Sequence, residues 1–267
     1  LNLVNESIEL IDMNNWIGNH PCIGAADVIP ITPLGSASIE DADKLAFETV
    51  KRLAEFNTLP MYFQNLNDTI NTKRNLHILR KSGFKGLSEQ FKIFPPDYGS
   101  NTPHPTAGAL IIGARNFLVP INFNLDTEKI NIAMDLAKKI RTSGNSKPGG
   151  QGLFQDCMAI GWYVKEFDCA QVSTNLTNYK ITPPHLVFEA LKELAYDLGV
   201  KVTGSEVIGL IPEDSLKMAA KYYFGETDLD KSMLAAIDVM GLNSVKDFTT
   251  ETKLIEKRLE KVSGIKL

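Results

Sequence analysis

His20 is the side chain of this chain best placed by type to move a proton near neutral pH. It sits in Gly18-Asn19-His20-Pro21, a loop just ahead of an apolar run. Imidazole is the one side chain whose unperturbed pKa suits that task. The competing reading is a loop histidine that only satisfies backbone groups. Of the other histidines, His77 reads as a surface residue and His185 as a structural residue in the first turn of a helix. His104 either lines a pocket or fills a turn. Gln171, Ser173 and Asn175 alternate with Val172, Thr174 and Leu176. On a strand the first three share a face, which either offers a polar heterocycle a row of hydrogen-bonding groups or simply meets water. Arg115, in Gly113-Ala114-Arg115, suits a ligand carboxylate or an internal ion pair. No H-E-x-x-H or other metal-ligand spacing occurs, so no metal site is expected. The G-x-S-x-G elbow, the P-loop lysine motif and G-x-G-x-x-G are also missing.

The elements that must position these residues alternate between strand and helix. Leu1, Val4, Ile8 and Leu10 predict an amphipathic helix. Residues 27–34 predict a strand, and Ser38 with Asp41 predicts a capping box opening a helix through Ile39, Ala42, Ala46, Val50 and Leu53. A short strand is expected over 60–63 and an irregular helical stretch over 65–92. Residues 94–108 contain four prolines and two glycines, which exclude helix and central strand. A loop this long in a compact domain is usually functional or disordered. A strand is predicted over 117–124, followed by a helix capped by Asp126 or Thr127. The Gly- and Ser-rich run 143–152 reads as the linker between two subdomains, 1–145 and 150–267. Beyond it come a hairpin (157–165 and 169–176), a helix with Thr182 as cap and Pro183 at its first position, a strand over 200–210 and a helical tail.

Composition sets the class. The chain has 267 residues, 43% hydrophobic and 22% charged, and a net charge of −4. That is globular composition, and a mildly acidic chain without a basic block is a poor nucleic-acid binder. Three cysteines (Cys22, Cys157, Cys169) without a C-x-x-C pair suggest a reduced, cytoplasmic protein. No apolar run approaches the ~18 residues of a membrane span. From the residues alone, two classes survive: a small-molecule group-transfer enzyme and a binding protein without chemistry.

Ile11-Asp12-Met13 followed by Gly18-Asn19-His20-Pro21-Cys22-Ile23-Gly24-Ala25-Ala26-Asp27 resembles the formiminotransferase domain family. Further blocks agree in order: Pro96-Asp97-Tyr98-Gly99, Gly113-Ala114-Arg115, Gly161-Trp162-Tyr163, Ala170 to Leu176, Gly204-Ser205 and Gly209-Leu210-Ile211-Pro212. The family carries arginine at the position of Cys22, and often tryptophan at that of Ala107. The resemblance implies an α/β fold of two similar ferredoxin-like subdomains with a ligand cleft between them. It implies transfer of a formimino group from N-formimino-L-glutamate to N5 of tetrahydrofolate, as in histidine degradation and one-carbon metabolism, with His20 as general base and acid. It makes Gly99, Ser100, Asn101, Thr102, Pro103, His104, Pro105, Thr106, Ala107 and Gly108 the folate-binding loop, and makes Arg115, Gln171, Ser173 and Asn175 candidate cleft-lining residues. A cytoplasmic homodimer with tetrahydrofolate as co-substrate is implied as well. The alternatives are a glutamate formyltransferase using 5-formyltetrahydrofolate and a non-catalytic folate-binding paralogue. Family members begin earlier than Leu1, so the resemblance implies a further strand-helix-strand upstream.

Overall fold

The computed structural model describes residues 1–18, 21–64, 76–145, 149–225 and 228–264. It divides into two compact units, Leu1–Asn116 and Phe117–Leu267.

In the first unit, helix α1 (Asn2–Leu10) buries Val4. Strand β1 (Val28–Ile31) leads to helix α2 (Ile39–Phe56). The expected capping box opens α2: the Asp41 N–H donates to Ser38 Oγ at 3.1 Å, and the Ser38 N–H to Asp41 Oδ2 at 3.0 Å. The predicted stripe Ala42, Ala46, Val50 and Leu53 is the face it buries. After β2 (Met61–Phe63) come α3 (Leu76–Arg80), a short 3-10 turn and α4 (Leu87–Ile93). The expected helical stretch falls partly on 65–75, outside the described residues.

Strand β3 (Leu110–Ala114) was not anticipated, yet it is the centre of the sheet, whose order is β1-β3-β2 with both pairings parallel. A central parallel strand is covered on both faces, so it reads as an unbroken apolar run and gives no period-2 signal. Ile111 and Tyr62 face a cluster with Leu79, Leu87 and Phe91; Leu110 and Met61 face one with Leu53, Leu59 and Val4.

The second unit contains β4 (Val119–Leu125), α5 (Ile130–Ile140), β5 (Cys157–Val164), β6 (Cys169–Leu176), α6 (Pro184–Tyr196) and β7 (Val202–Val207). The sheet is antiparallel, in the order β5-β6-β4-β7. This β-α-β-β-α-β arrangement is ferredoxin-like. The first unit shares the α/β class, but its described strands all run parallel. Four helices follow: α7 (Glu213–Phe224), α8 (Leu229–Val239), α9 (Thr250–Lys253) and α10 (Ile255–Ser263). Phe123 and Val172 on the sheet meet Leu136, Ile140, Val187, Phe188 and Leu191 from α5 and α6 in one core.

Three local expectations are corrected. The boundary lies between Asn116 and Phe117 and not at 143–152, because β4 is hydrogen-bonded between β6 and β7 and so belongs to the second unit. The described residues of that run, 143–145 and 149–152, lie between α5 and β5 and so fall inside the second unit. Asp126 and Thr127 do not cap α5 from its N-cap position: the helix begins at Ile130 after Lys129. Asp126 Oδ1 instead accepts the Lys201 N–H at 2.6 Å, tying two strand ends together. At α6 the N-cap is Pro183, with Pro184 at the first helical position, and the Thr182 hydroxyl donates to the Gln155 carbonyl at 2.6 Å.

Candidate functional site

The loop from Gly99 to Gly108 is held at both ends by main-chain contacts. The Asp97-Tyr98 block is tied to β2: Met61 and Tyr98 exchange backbone hydrogen bonds, and Asp97 Oδ2 accepts the Phe63 N–H at 2.9 Å. Gly99 has φ 80°, and a Cβ there would run into the Leu59 carbonyl. Gly108 has φ 67°, and a Cβ there would run into the Ile23 carbonyl. The two glycines therefore serve close packing of the chain on itself.

Inside the loop, His104 and Gly108 each donate a backbone N–H to the other's carbonyl at 3.0 Å. His104 Nδ1 accepts the Ala107 N–H at 3.0 Å, so a neutral His104 ring carries its proton on Nε2. Ser100 Oγ and Thr102 Oγ1 are 2.9 Å apart. Ala107 is 2% exposed and belongs to the core, so its side chain offers the loop no binding surface.

Three blocks that are separate in sequence meet at this loop. Ala25 donates to the Ala107 carbonyl and Ala109 to the Ile23 carbonyl, both at 3.0 Å, so the segment just after His20-Pro21 is stitched to the loop's end. The Met13 N–H donates to Thr106 O at 2.8 Å, and Asn14 Nδ2 to Pro105 O at 3.1 Å. Asp12 shapes that turn by accepting from the Asn14 backbone and side chain at 2.9 and 2.7 Å. Asp27, at φ 47°, accepts the Ile23 N–H at 2.8 Å and pairs with Arg80 Nη2 at 2.7 Å, which ties the Ile23–Asp27 turn to α3. His20 itself lies outside the described residues. Its neighbour Cys22 is buried, and desolvation, helped by the Asp27 charge, pushes the thiol pKa up, so it stays protonated.

A groove of about 530 Å³ opens beside the loop, lined by Asn101 to Pro105 together with Asn14, Phe84, Lys85 and Ser88. Sequence reasoning did not single out Asn14, Phe84 or Ser88. The only sign of Asn14 was its place directly after Ile11-Asp12-Met13.

In the second unit, Gln171, Ser173 and Asn175 do share a face of β6. Their β4 partners are Asn124, Asn122 and Pro120, so the polar row is two strands wide. Gln171 is 1% exposed and spends both ends of its amide within the protein: Nε2 donates to Asn124 Oδ1 at 2.7 Å, and Oε1 accepts from Trp162 Nε1 at 2.8 Å. Ser173 is partly exposed and Asn175 exposed. Asn122 and Asn124 were legible as alternation in Ile121-Asn122-Phe123-Asn124-Leu125 but were not chosen. Arg115 follows β3 in the first unit and is partly buried. His185 is 4% exposed, against Tyr222 and Tyr223. Burial pushes its pKa down to about 4, which leaves it neutral and structural.

Among the described residues there is no cluster of His, Cys, Asp and Glu able to hold a metal ion. No described helix is long and apolar enough to cross a membrane.

Residues 1–115 match the N-terminal subdomain of the formiminotransferase domain, and residues 120–260 match the formiminotransferase domain itself. The chain belongs to the formiminotransferase domain family. The break between the two matched regions falls at the boundary between the compact units. A glutamate formimidoyltransferase of Streptococcus pyogenes serotype M1 is 37% identical over 230 residues, covering 85% of this chain and 75% of the relative. One from Thermoplasma acidophilum is 34% identical over 232 residues, covering 85% and 74%. A formimidoyltransferase-cyclodeaminase of Dictyostelium discoideum is 33% identical over 265 residues, covering 96% of this chain and 49% of the relative. The chain thus spans about half the length of such two-activity relatives.

Proposed function

We propose that this chain transfers a formimino group from N-formimino-L-glutamate to N5 of tetrahydrofolate. The observation that carries the reading is the hydrogen-bonded meeting of three motif blocks, the Asp12–Asn14 turn, the segment after His20-Pro21 and the Gly99–Gly108 loop, with a groove lined by the first and the third. The relatives' names supply the chemistry. The groove's volume lies within the range usual for small-molecule sites, about 300–1,000 Å³. Its lining combines the Phe84 ring with Asn14, Ser88, Asn101 and Thr102, a mixture suited to a flat, hydrogen-bonding ring system.

In this reading N5 of tetrahydrofolate attacks the formimino carbon, and a C–N bond to N5 forms. His20 takes the proton that the attacking nitrogen loses. The bond from that carbon to the glutamate nitrogen then breaks, and His20 returns the proton to the departing amine. One imidazole can serve in both directions because the unperturbed pKa of that side chain lies near neutral pH. The Asp27–Arg80 pair and the Ile23–Ala109 bond act by holding the segment after His20-Pro21 against the end of the Gly99–Gly108 loop. The cytoplasmic homodimer implied by the resemblance belongs to the same reading.

The test is turnover of formiminoglutamate with tetrahydrofolate, run beside a His20→Ala variant and beside 5-formyltetrahydrofolate with glutamate. Formimino transfer that collapses in the variant is the expected result. Undiminished turnover in His20→Ala removes the histidine from the mechanism, and activity confined to the formyl pair replaces the substrate.

A further inference from the structure

The carboxyl end of the first unit's parallel sheet carries two long polar side chains. Gln64 follows β2 and Arg115 follows β3. Both continue the ladder: the Gln64 N–H donates to the Ile112 carbonyl at 3.1 Å, and the Arg115 N–H to the Ile31 carbonyl at 3.0 Å. Side chains alternate along extended backbone. Gln64 therefore shares the face of Tyr62, and Arg115 that of Ile111, which is one and the same face of the sheet. In the register set by Phe63 against Ile112, Gln64 is level with Gly113, and Arg115 stands two residues beyond. Strand geometry offsets the pair by about 6.6 Å along the sheet and about 4.8 Å across it. Gly113, between them on that face, contributes no side chain.

Gln64 Nε2 and Arg115 Nε are both buried and have no hydrogen-bond acceptor. Leaving a buried donor unmet is unfavourable, and most proteins avoid it. Arg80 Nε, elsewhere in the same unit, is also buried without an acceptor, but the Arg80 charge is met because its Nη2 pairs with Asp27. No described carboxylate pairs with Arg115. The outstanding requirement is an acceptor with more than one oxygen, carrying negative charge, at the strand ends where open parallel sheets receive their ligands.

We propose that Gln64 and Arg115 form a carboxylate subsite that receives a glutamyl carboxylate of a substrate. The proposal rests on the formimino-transfer reading for the identity of the ligand, since the glutamyl group is common to formiminoglutamate and to folate. Arg115 supplies the charge and a planar fork, and Gln64 adds a neutral donor. Their part is binding and orientation, with no bond made or broken at either side chain.

The test uses the full chain, with circular dichroism and melting curves to confirm that each variant folds. Arg115→Gln should raise KM tenfold or more for the substrate whose carboxylate it holds, with kcat changed far less. Gln64→Leu, which removes the donor at similar size, should raise the same KM several-fold, and Arg115→Lys should recover only part of the loss. A rise confined to formiminoglutamate places the donor's carboxylate here, and a rise confined to tetrahydrofolate places the folate's. Either outcome supports the subsite. Calorimetric titration with glutarate alone gives a readout independent of turnover: binding should be present in the unaltered chain and lost in Arg115→Gln. Arg115-dependent glutarate binding in a chain that lacks formimino transfer would keep the subsite and remove the reaction. Unchanged KM values together with unchanged glutarate binding in Arg115→Gln and Gln64→Leu overturn the subsite.

Discussion

In the first unit, the Gly99–Gly108 loop holds its shape through main-chain partners: His104 bonds Gly108, and Ala107 and Ala109 bond the segment after the histidine motif. In the second unit, the polar face of β6 holds itself with side chains, Gln171 joined to Asn124 on one side and Trp162 on the other. A loop braced mostly through its main chain and the His104 Nδ1 keeps its Asn101–Pro105 stretch on the groove. A side-chain network that satisfies itself is rigid, and what it offers a ligand is mostly its margin, Ser173 and Asn175. Both regions look equally polar in sequence. The difference lies in which hydrogen-bonding groups are already spent.

The sharpest way to break this contrast is His20→Ala. General acid–base catalysis is worth roughly 10²–10⁴-fold, so steady-state turnover should fall by about that much while the melting curve stays in place. A variant that lost stability and kept its rate would move the first unit into the structural class.

The second unit should instead show its weakness as acid sensitivity. His185 is buried with Nδ1 unpartnered, desolvation lowers its pKa to about 4, and the nearby Glu189 only partly opposes this. The folded pKa lies below the unfolded value of about 6.5. The stabilisation from keeping this residue neutral is therefore fully present above about 6.5 and is lost as pH falls toward 4, because the unfolded chain binds the proton first. A shift of that size corresponds to about 3 kcal/mol. His185→Phe should flatten the fall in unfolding free energy across that window in denaturant titrations at stepped pH.

Gln171→Leu sharpens the same comparison. It leaves Asn124 Oδ1 and Trp162 Nε1 without Gln171 as a partner, and should cost about 1–3 kcal/mol in chemical denaturation. Its KM values should change little. Lost substrate binding at unchanged stability would make the face a recognition surface. Asn175→Ala, on the exposed margin, should lie within about 0.5 kcal/mol of the parent, and a large KM effect there would identify the margin as the part that meets substrate.

Much of the scaffold was legible locally. The Ser38–Asp41 capping box, the α2 stripe and the β5–β6 hairpin follow from spacing within a few residues, because caps and amphipathic faces are short-range chemistry. Strand β3 was missed because burial on both faces erases alternation. The boundary was misplaced because a glycine-rich run marks a loop, while domain membership depends on which strands β4 pairs with.

The sequence by itself determined the family, through ordered blocks whose residue types survive translation into one dimension, and it named the loop and the row Gln171–Asn175. Tertiary structure decided the state of each group. It turned Gln171 into a satisfied bracket and Gly99 and Gly108 into close-packed corners. It left Gln64 and Arg115 as neighbours on one sheet face with donors unmet. The physical reason is that a side chain's chemistry is fixed by its type, whereas its availability depends on partners that are distant in sequence and are brought together only when the strands pair.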